Sequence, residues 1–328
     1  VERVLILGAG AMGTGLAVLL ARAGTSVDLW ARDPARAEDL ARDRENRRHL
    51  PGIPLPGTVR PTAATDRFEA AELVVVAIPS AFLRPALAGL AGAMPTDVPL
   101  LSVVKGIERG TFARPTEILG AVLGPHPVAI LSGPSHAEEF ARGLPTSVVV
   151  AASEPALAVA VRDAFRSETF RVYVNDDPAG VELAGALKNI LGLAAGICDG
   201  LGIGDNAKAA LLTRGLVEMA RYAERLGARP ATFGGLAGVG DVLTTCYSPH
   251  GRNRAVGLRI GRGESLAAIQ EGMVDVAEGV YTVRSVHEQA RARGVAMPIT
   301  AEVHAILFEG KPPRAAVTDL MLRDPKAE

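Results

Sequence analysis

Lys188 and Asn189 are the only polar residues in the stretch 183–198, LAGALKNILGLAAGIC, where every other residue is apolar or glycine. A run with no polar face reads as a buried helix. It is too short, too rich in glycine and too interrupted by its lysine to span a membrane. Burying an ammonium costs several kcal/mol, on the order of what removing any isolated charge from water costs, unless it is paired or sheds its proton. Burial moves a lysine towards the neutral range in which a general base operates, and arginine cannot follow it there. The competing reading is a lysine whose stem snorkels to the surface. Of the 35 basic residues only five are lysine, Lys105, Lys188, Lys208, Lys311 and Lys326, which favours a chemical role for at least one of them.

A second group lies between Gly234 and Arg254, GGLAGVGDVLTTCYSPHGRNR. Glycines surround Asp241, the hydroxyls of Thr244 and Thr245 follow, and Arg252-Asn253-Arg254 closes the segment. An arginine fork beside asparagine donors suits a small anionic ligand such as a phosphate. Taken singly, Asp241 could equally be a helix cap. A third group opens the chain: Gly8-Ala9-Gly10-Ala11-Met12-Gly13 follows the apolar run Val4–Leu7 and precedes a helix, Leu16–Arg22, closed by Gly24. Strand, G-x-G-x-x-G, helix is the setting in which such glycines permit a tight turn that presents a helix N-terminus to a pyrophosphate. The next strand, Ser26–Trp30, ends in Trp30-Ala31-Arg32-Asp33. Arg32 favours the 2′-phosphate of NADP, while Asp33 keeps NAD open.

These groups need elements to position them. Leu73–Ile78 and Val98–Val104 read as buried strands, the second ending at Lys105-Gly106. Val128–Leu131 runs into Ser132-Gly133-Pro134-Ser135-His136-Ala137-Glu138, in which Ser135 and Glu138 have capping-box spacing. Pro34 to about Arg48 reads as a charged helix, followed by a proline-punctuated loop from Leu50 to Gly57. Thr146–Val150 and Arg171–Val174 read as the last strands. Alternation of buried strands with helices predicts an α/β fold, a doubly wound parallel sheet of Rossmann type, with its ligand crevice beyond the carboxyl ends of the strands. Past Pro178 the texture turns helical: the opening stretch, then Asn206–Leu226, Leu266–Gln270, Thr282–Arg293 and Thr300–Phe308. The expected organisation is a dinucleotide-binding domain over 1–177 and an all-helical substrate and catalytic domain over 178–328.

Composition narrows the function. A hydrophobic content of 48% and a formal net charge of −1 over 328 residues describe an ordinary globular chain. No basic block marks a nucleic-acid footprint. Cys198 and Cys246 cannot build a disulfide framework, and the six histidines are scattered without ligand spacing, so no metal is expected. The chain enters its core at Val4 with no signal peptide before it, a cytoplasmic profile. A homodimer suits a domain of apolar helices.

Together the stretches GAGAMGTGLA, HLPGIPLP, VVKG, GPSHAEEFARGLPT, ELAGALKNILGLAAGICDGLGIGDNAKAALLTRG, GLAGVGDVLTTC, GRNR and MPITAEVHAILFEG resemble the NAD(P)-dependent sn-glycerol-3-phosphate dehydrogenases of the bacterial type, over nearly the whole chain. The run through Lys188 and the GRNR block are the specific signatures. The resemblance implies that Lys188 is the proton acceptor, with Asp241 and Lys105 as its catalytic company. It further implies a substrate site of Lys105, Gly133, Ser135, Lys188, Asn189, Asp241, Thr245, Arg252 and Asn253. Gly8, Gly10, Ala11, Met12, Gly13, Arg32, Lys105, Ala137, Arg252, Val276 and Glu278 would border an NADP or NAD cofactor. Hydride would pass between carbon 2 of glycerol 3-phosphate and the nicotinamide, supplying a phospholipid precursor. The chain departs from the family pattern at Ala11-Met12, where a serine and a tryptophan are usual. It departs again at Gly251, where bacterial members have serine, and at Val104, where a small hydroxyl residue is usual. Those departures leave room for another small phosphate or phosphonate carbonyl substrate. A non-catalytic dinucleotide sensor is a further alternative, against which a buried proton acceptor argues.

Overall fold

A computed structural model describes residues 1–249, 251–271 and 277–324. The chain forms two compact units, Val1–Lys105 with Ala113–Glu182, and Gly106–Phe112 with Leu183–Glu328.

The first unit alternates β1 (Arg3–Leu7), α1 (Ala11–Arg22), β2 (Ser26–Trp30) and α2 (Pro34–Asp43). A ribbon of β3 (Glu45–Asn46) and β4 (Leu50–Pro54) follows, then β5 (Val59–Thr62). Next come β6 (Leu73–Val76), α3 (Ser80–Leu90), β7 (Leu100–Ser102), α4 (Pro115–Leu123) and β8 (Val128–Ser132). α5 (Ala137–Phe140), β9 (Thr146–Ala152), α6 (Pro155–Phe165) and β10 (Phe170–Asn175) complete it. Eight strands make one sheet in the order β10-β9-β8-β7-β6-β1-β2-β5. The central strands are apolar without alternation because both faces are covered. Val4 and Ile6 join Leu16, Leu20, Val75, Leu101 and Phe140 on one face. Leu5 and Leu7 join Val74, Val76, Leu83, Leu87 and Ile118 on the other. The strand order reverses at β1, flanked by parallel β2 and β6, so the glycine turn after Leu7 stands at the topological switch point.

Three expectations change. The sheet is mixed, since β8 and β9 run antiparallel: their connection holds only the single turn of α5, and the chain comes back alongside instead of recrossing the sheet. The charged helix stops at Asp43, with Arg44 in the left-handed region at φ 50°. The proline-rich loop supplies β4, paired antiparallel with β3, and just past it β5 pairs parallel with β2. Prolines are tolerated because β4 lies in a two-stranded ribbon and β5 at the edge of the large sheet, where donors are left unneeded.

Helix α7 (Pro178–Leu201) is longer than the apolar stretch suggested. By length and composition it could cross a membrane, so brevity was the wrong argument against insertion; the better one is that its most apolar window is wholly buried inside the fold. Its start is tied down in the first unit by Glu182, which accepts from Thr116 N (2.8 Å), Thr116 Oγ1 (2.7 Å) and Arg114 Nη1 (3.2 Å). Burial pushes the Glu182 carboxyl up to about 7 against the pull of Arg114.

The second unit continues with α8 (Asp205–Glu224), α9 (Asp241–Tyr247), α10 (Arg252–Gly261), α11 (Leu266–Glu271), α12 (Glu278–Ala292), α13 (Pro298–Phe308) and α14 (Pro313–Met321). Among the described residues all its regular elements are helical. Helices α7 and α10 meet backbone to backbone. A methyl group on Gly196 would stand 2.1 Å from Arg254 O, one on Gly200 2.4 Å from Leu258 O, and one on Gly257 2.1 Å from Leu193 O. Small residues at such a crossing let the axes approach more closely than ordinary side chains allow. Gly196→Ala therefore forces the helices apart and will lower unfolding free energy by about 1–3 kcal/mol, the usual range for overpacking. Urea denaturation checks it against Gly234→Ala, where the added carbon meets nothing within 4 Å.

Candidate active site

Each half of the proposed machinery is built within its own unit. In the first, Gly8 adopts φ +114° and its missing side chain is required, because a Cβ would lie 2.7 Å from Ala77 O. A Cβ on Gly13 would lie 1.9 Å from Gly8 O, so the first turn of α1 can close on the loop only with glycine. Gly10 is the N-cap and makes no side-chain cap; no acid stands in the first turn, and the space a Gly10 side chain would take is open. Backbone amides of Ala11, Met12 and Gly13 thus open a helix with an uncompensated positive end, which fits the pyrophosphate of a dinucleotide. Gly8 N donates to Trp30 O at 3.0 Å, tying the turn to the end of β2. Beyond it Arg32 is exposed, without hydrogen bond or ion pair among the described residues. Asp33 instead accepts from Ala35 N at 3.1 Å and caps α2.

Lys105 donates to Gly133 O (2.9 Å) and Ser135 Oγ (3.2 Å). Ser135 Oγ itself donates to Gly133 O at 2.9 Å. The capping-box reading of Ser135 and Glu138 therefore fails: the N-cap of α5 is His136, and the hydroxyl serves the Lys105 cluster. Ala137 begins α5 and is buried.

In the second unit Lys188 is 7% exposed and Asp241 1%. Lys188 Nζ donates to Asp241 Oδ1 at 2.5 Å. The snorkelling alternative is thereby excluded, and Asp241 pairs with the amine although it heads α9. A π-helical turn, Leu236–Gly240, delivers Asp241 to that position; a Cβ on Gly238 would lie 2.0 Å from Phe233 O, which explains a glycine in so tight a turn. Asn189 Oδ1 accepts from Asn253 Nδ2 at 2.9 Å, and Asn253 Oδ1 accepts from Gly279 N at 3.0 Å, next to Glu278. One bridge thus links α7, α10 and the start of α12. Thr245 is buried, and its Cγ2 would lie 2.9 Å from a Cβ on Gly192, so it packs on α7 one turn past Lys188. Thr244 turns back to Gly240 O at 3.1 Å. Arg252 is exposed at the first position of α10, whose N-cap, Gly251, offers no side chain. A Cβ on Gly251 would lie 2.8 Å from Thr245 O, a close approach that accounts for the glycine. Val276 lies outside the described residues.

Sequence reading missed three supports. Asp199 pairs with Arg254 Nε at 2.7 Å and with Lys208 Nζ at 2.9 Å, pinning α10 to α7 close to Arg252. Lys208, one of the five lysines, is buried and lies over the Tyr247 ring at 4.3 Å. Its scarcity as a residue type was the available signal. Asn46, fully buried, hydrogen-bonds to the glycine turn, and nothing in its charged neighbourhood announced this. Both cysteines are buried thiols, pushed by burial up to about 11 (Cys198) and about 12 (Cys246), and so are inert as nucleophiles.

Bare amides at the switch point of a Rossmann sheet, followed in the chain by a helical unit that buries a lysine, mark the class: these are the parts of an NAD(P)-dependent oxidoreductase. Residues 3–158 match the NAD-dependent glycerol-3-phosphate dehydrogenase N-terminus, and residues 177–318 match the C-terminus of the same family. The chain belongs to the NAD-dependent glycerol-3-phosphate dehydrogenase family. It is 48% identical to the glycerol-3-phosphate dehydrogenase [NAD(P)+] of Chlorobium limicola, with 99% of both chains covered. It is 47% identical to the protein of that name from Anaeromyxobacter dehalogenans, again over 99% of both. The crystal structure of glycerol-3-phosphate dehydrogenase from Coxiella burnetii superposes with a TM-score of 0.93 at 36% identity, covering 98% of this chain and 99% of that one.

Proposed function

We propose that this protein interconverts dihydroxyacetone phosphate and sn-glycerol 3-phosphate with NADPH or NADH, using Lys188 as the acid–base group. The observation that carries the reading is the buried Lys188–Asp241 pair, set next in sequence to the Asn189–Asn253 bridge. In reduction Lys188 gives a proton to the carbonyl oxygen of the substrate, and in oxidation it takes one from the hydroxyl. Asp241 holds the amine in place and balances its charge in an interior where a lone ammonium is costly. The nicotinamide, when bound to the first unit, supplies or accepts the hydride at carbon 2. Arg252 and the open N-terminus of α10 hold the phosphate through a guanidinium fork and backbone amides. Asn253 and Asn189 fix how that anchor stands to Lys188. The same reading has the chain supply phospholipid backbones in the cytoplasm as a homodimer; the activity named for its relatives supports the precursor role.

The test is direct: purified protein, dihydroxyacetone phosphate and NADPH or NADH, followed by loss of nicotinamide absorbance in the near ultraviolet. Consumption that depends on the phosphate ester supports the proposal, and none with either nucleotide overturns it. Cofactor choice carries its own prediction. With Asp33 engaged in capping, Arg32 is a cation available to the ribose, so Arg32→Ala will weaken NADPH by about 1–3 kcal/mol more than NADH. Equal losses in titrations with the two nucleotides would show that Arg32 does not read the ribose.

A further inference from the structure

Asn46 is wholly buried at the end of a charged segment, and no step of the proposed catalysis uses it. Its amide is nevertheless engaged at both ends. Nδ2 donates to Ala9 O (3.1 Å), inside the glycine turn, and to Thr14 Oγ1 (2.7 Å) on α1. Oδ1 accepts from His49 N (3.2 Å) and from Nη2 of Arg36 on α2. An amide meets all four contacts at once, because its nitrogen carries two donors and its oxygen two acceptor lone pairs, whereas a hydroxyl has a single proton to give. The consequence falls on Arg36. It is held by a neutral oxygen and not by a carboxylate, so its charge is not cancelled where it is fixed. Asp33 and Asp39 stand near enough to favour that charge, but Asp33 caps Ala35 N and Asp39 pairs with Arg42; Arg48 nearby opposes it. Arg36 is therefore a cation placed one amide away from the pyrophosphate turn, on the helix that begins just after the end of β2. The turn is bonded to that same strand end through Gly8 N and Trp30 O.

We propose that Arg36 is a second specificity-determining residue for the cofactor, reading an anionic group on the adenosine ribose, the 2′-phosphate. Asn46 is its positioning residue, locking it in register with the pyrophosphate turn. The proposal rests on the dinucleotide-dependent reading of this chain. Asn46→Asp separates it from a merely structural role. The variant is nearly isosteric, yet it sets a carboxylate against Arg36 and cancels the charge a 2′-phosphate would meet. It also turns the Ala9 contact into a repulsion between two oxygens. The probes are NADPH and NADH, titrated at equilibrium by their own fluorescence, with thermal unfolding of the unliganded protein as control. The dissociation constant for NADPH should rise at least about tenfold more than that for NADH. Arg36→Met, at a half-buried position, should weaken NADPH about tenfold and NADH within about twofold, and it keeps the question open to test if the aspartate variant folds poorly. Equal weakening of both nucleotides in Asn46→Asp, or an unchanged NADPH constant in Arg36→Met, overturns the proposal. Wild-type protein that binds neither nucleotide overturns the dinucleotide reading, and this inference with it.

Discussion

Lys188→Arg will leave a folded, nucleotide-binding protein whose turnover of dihydroxyacetone phosphate is lower by about 10²- to 10⁴-fold, the usual contribution of a positioned general acid–base group. A guanidinium can keep its charge against Asp241 but cannot surrender a proton near neutral pH. If the role of Lys188 were purely electrostatic, the arginine variant would stay substantially active, and proton transfer would have to be sought elsewhere, with Lys105 first. Lys188→Met is the weaker experiment for a reason the structure supplies. Asp241 is almost fully buried, and removing its cation strands a charge, which costs about 3–5 kcal/mol in buried pairs. Loss of activity in the methionine variant must therefore be read beside its melting temperature, and the double variant Lys188→Met with Asp241→Leu removes the stranded charge.

The second large effect is expected at Arg252. Its side chain is exposed at the start of α10, so Arg252→Ala opens no cavity in the core and the fold will be kept. Losing a forked, charge-assisted contact to a phosphate removes about 2–4 kcal/mol, which lowers kcat/KM for dihydroxyacetone phosphate roughly 30- to 700-fold. The split between constants carries the mechanism. A rise in KM alone means that the anchor is felt equally before and during reaction, whereas a fall in kcat as well means that it positions carbon 2. We expect both to suffer. Unphosphorylated dihydroxyacetone is the control, since its slow turnover should not change. Wild-type kcat/KM on the phosphate ester would remove Arg252 from the site.

What the sequence disclosed and what it hid divide along a physical line. The glycine turn, the arginine after β2 and the lysine in an apolar helix were visible because each is an oddity against its own neighbours. Local contrast needs no tertiary knowledge. Asn46 offered no such contrast: one amide among charged residues, in a segment read as a charged helix, could not show that it reaches back to Ala9. The direction of β9 was hidden for a related reason, since apolar strands look alike whichever way they run. The four-residue spacing of Gly192, Gly196 and Gly200 could be read on the chain, but Gly257 and Gly261 across from them could not be paired with it. Asp199 drew no reading from the sequence, because its partners Arg254 and Lys208 lie on other helices.

The glycine contact of α7 with α10 has a consequence for what the enzyme accepts. Lys188 and Asn189 ride on one helix and Arg252 and Asn253 on the other, and the two backbones touch through Gly196 and Gly257 with no side chain between them to yield. A spacer of flexible side chains would let the proton donor and the phosphate anchor breathe apart. Main-chain contact instead makes their separation a fixed gauge. On the proposed function that gauge measures the substrate from phosphorus to the carbonyl carbon, so a homologue with one more methylene between them would bind by its phosphate and present the wrong atom to Lys188. Selection by length would then reside in glycines that never meet the substrate.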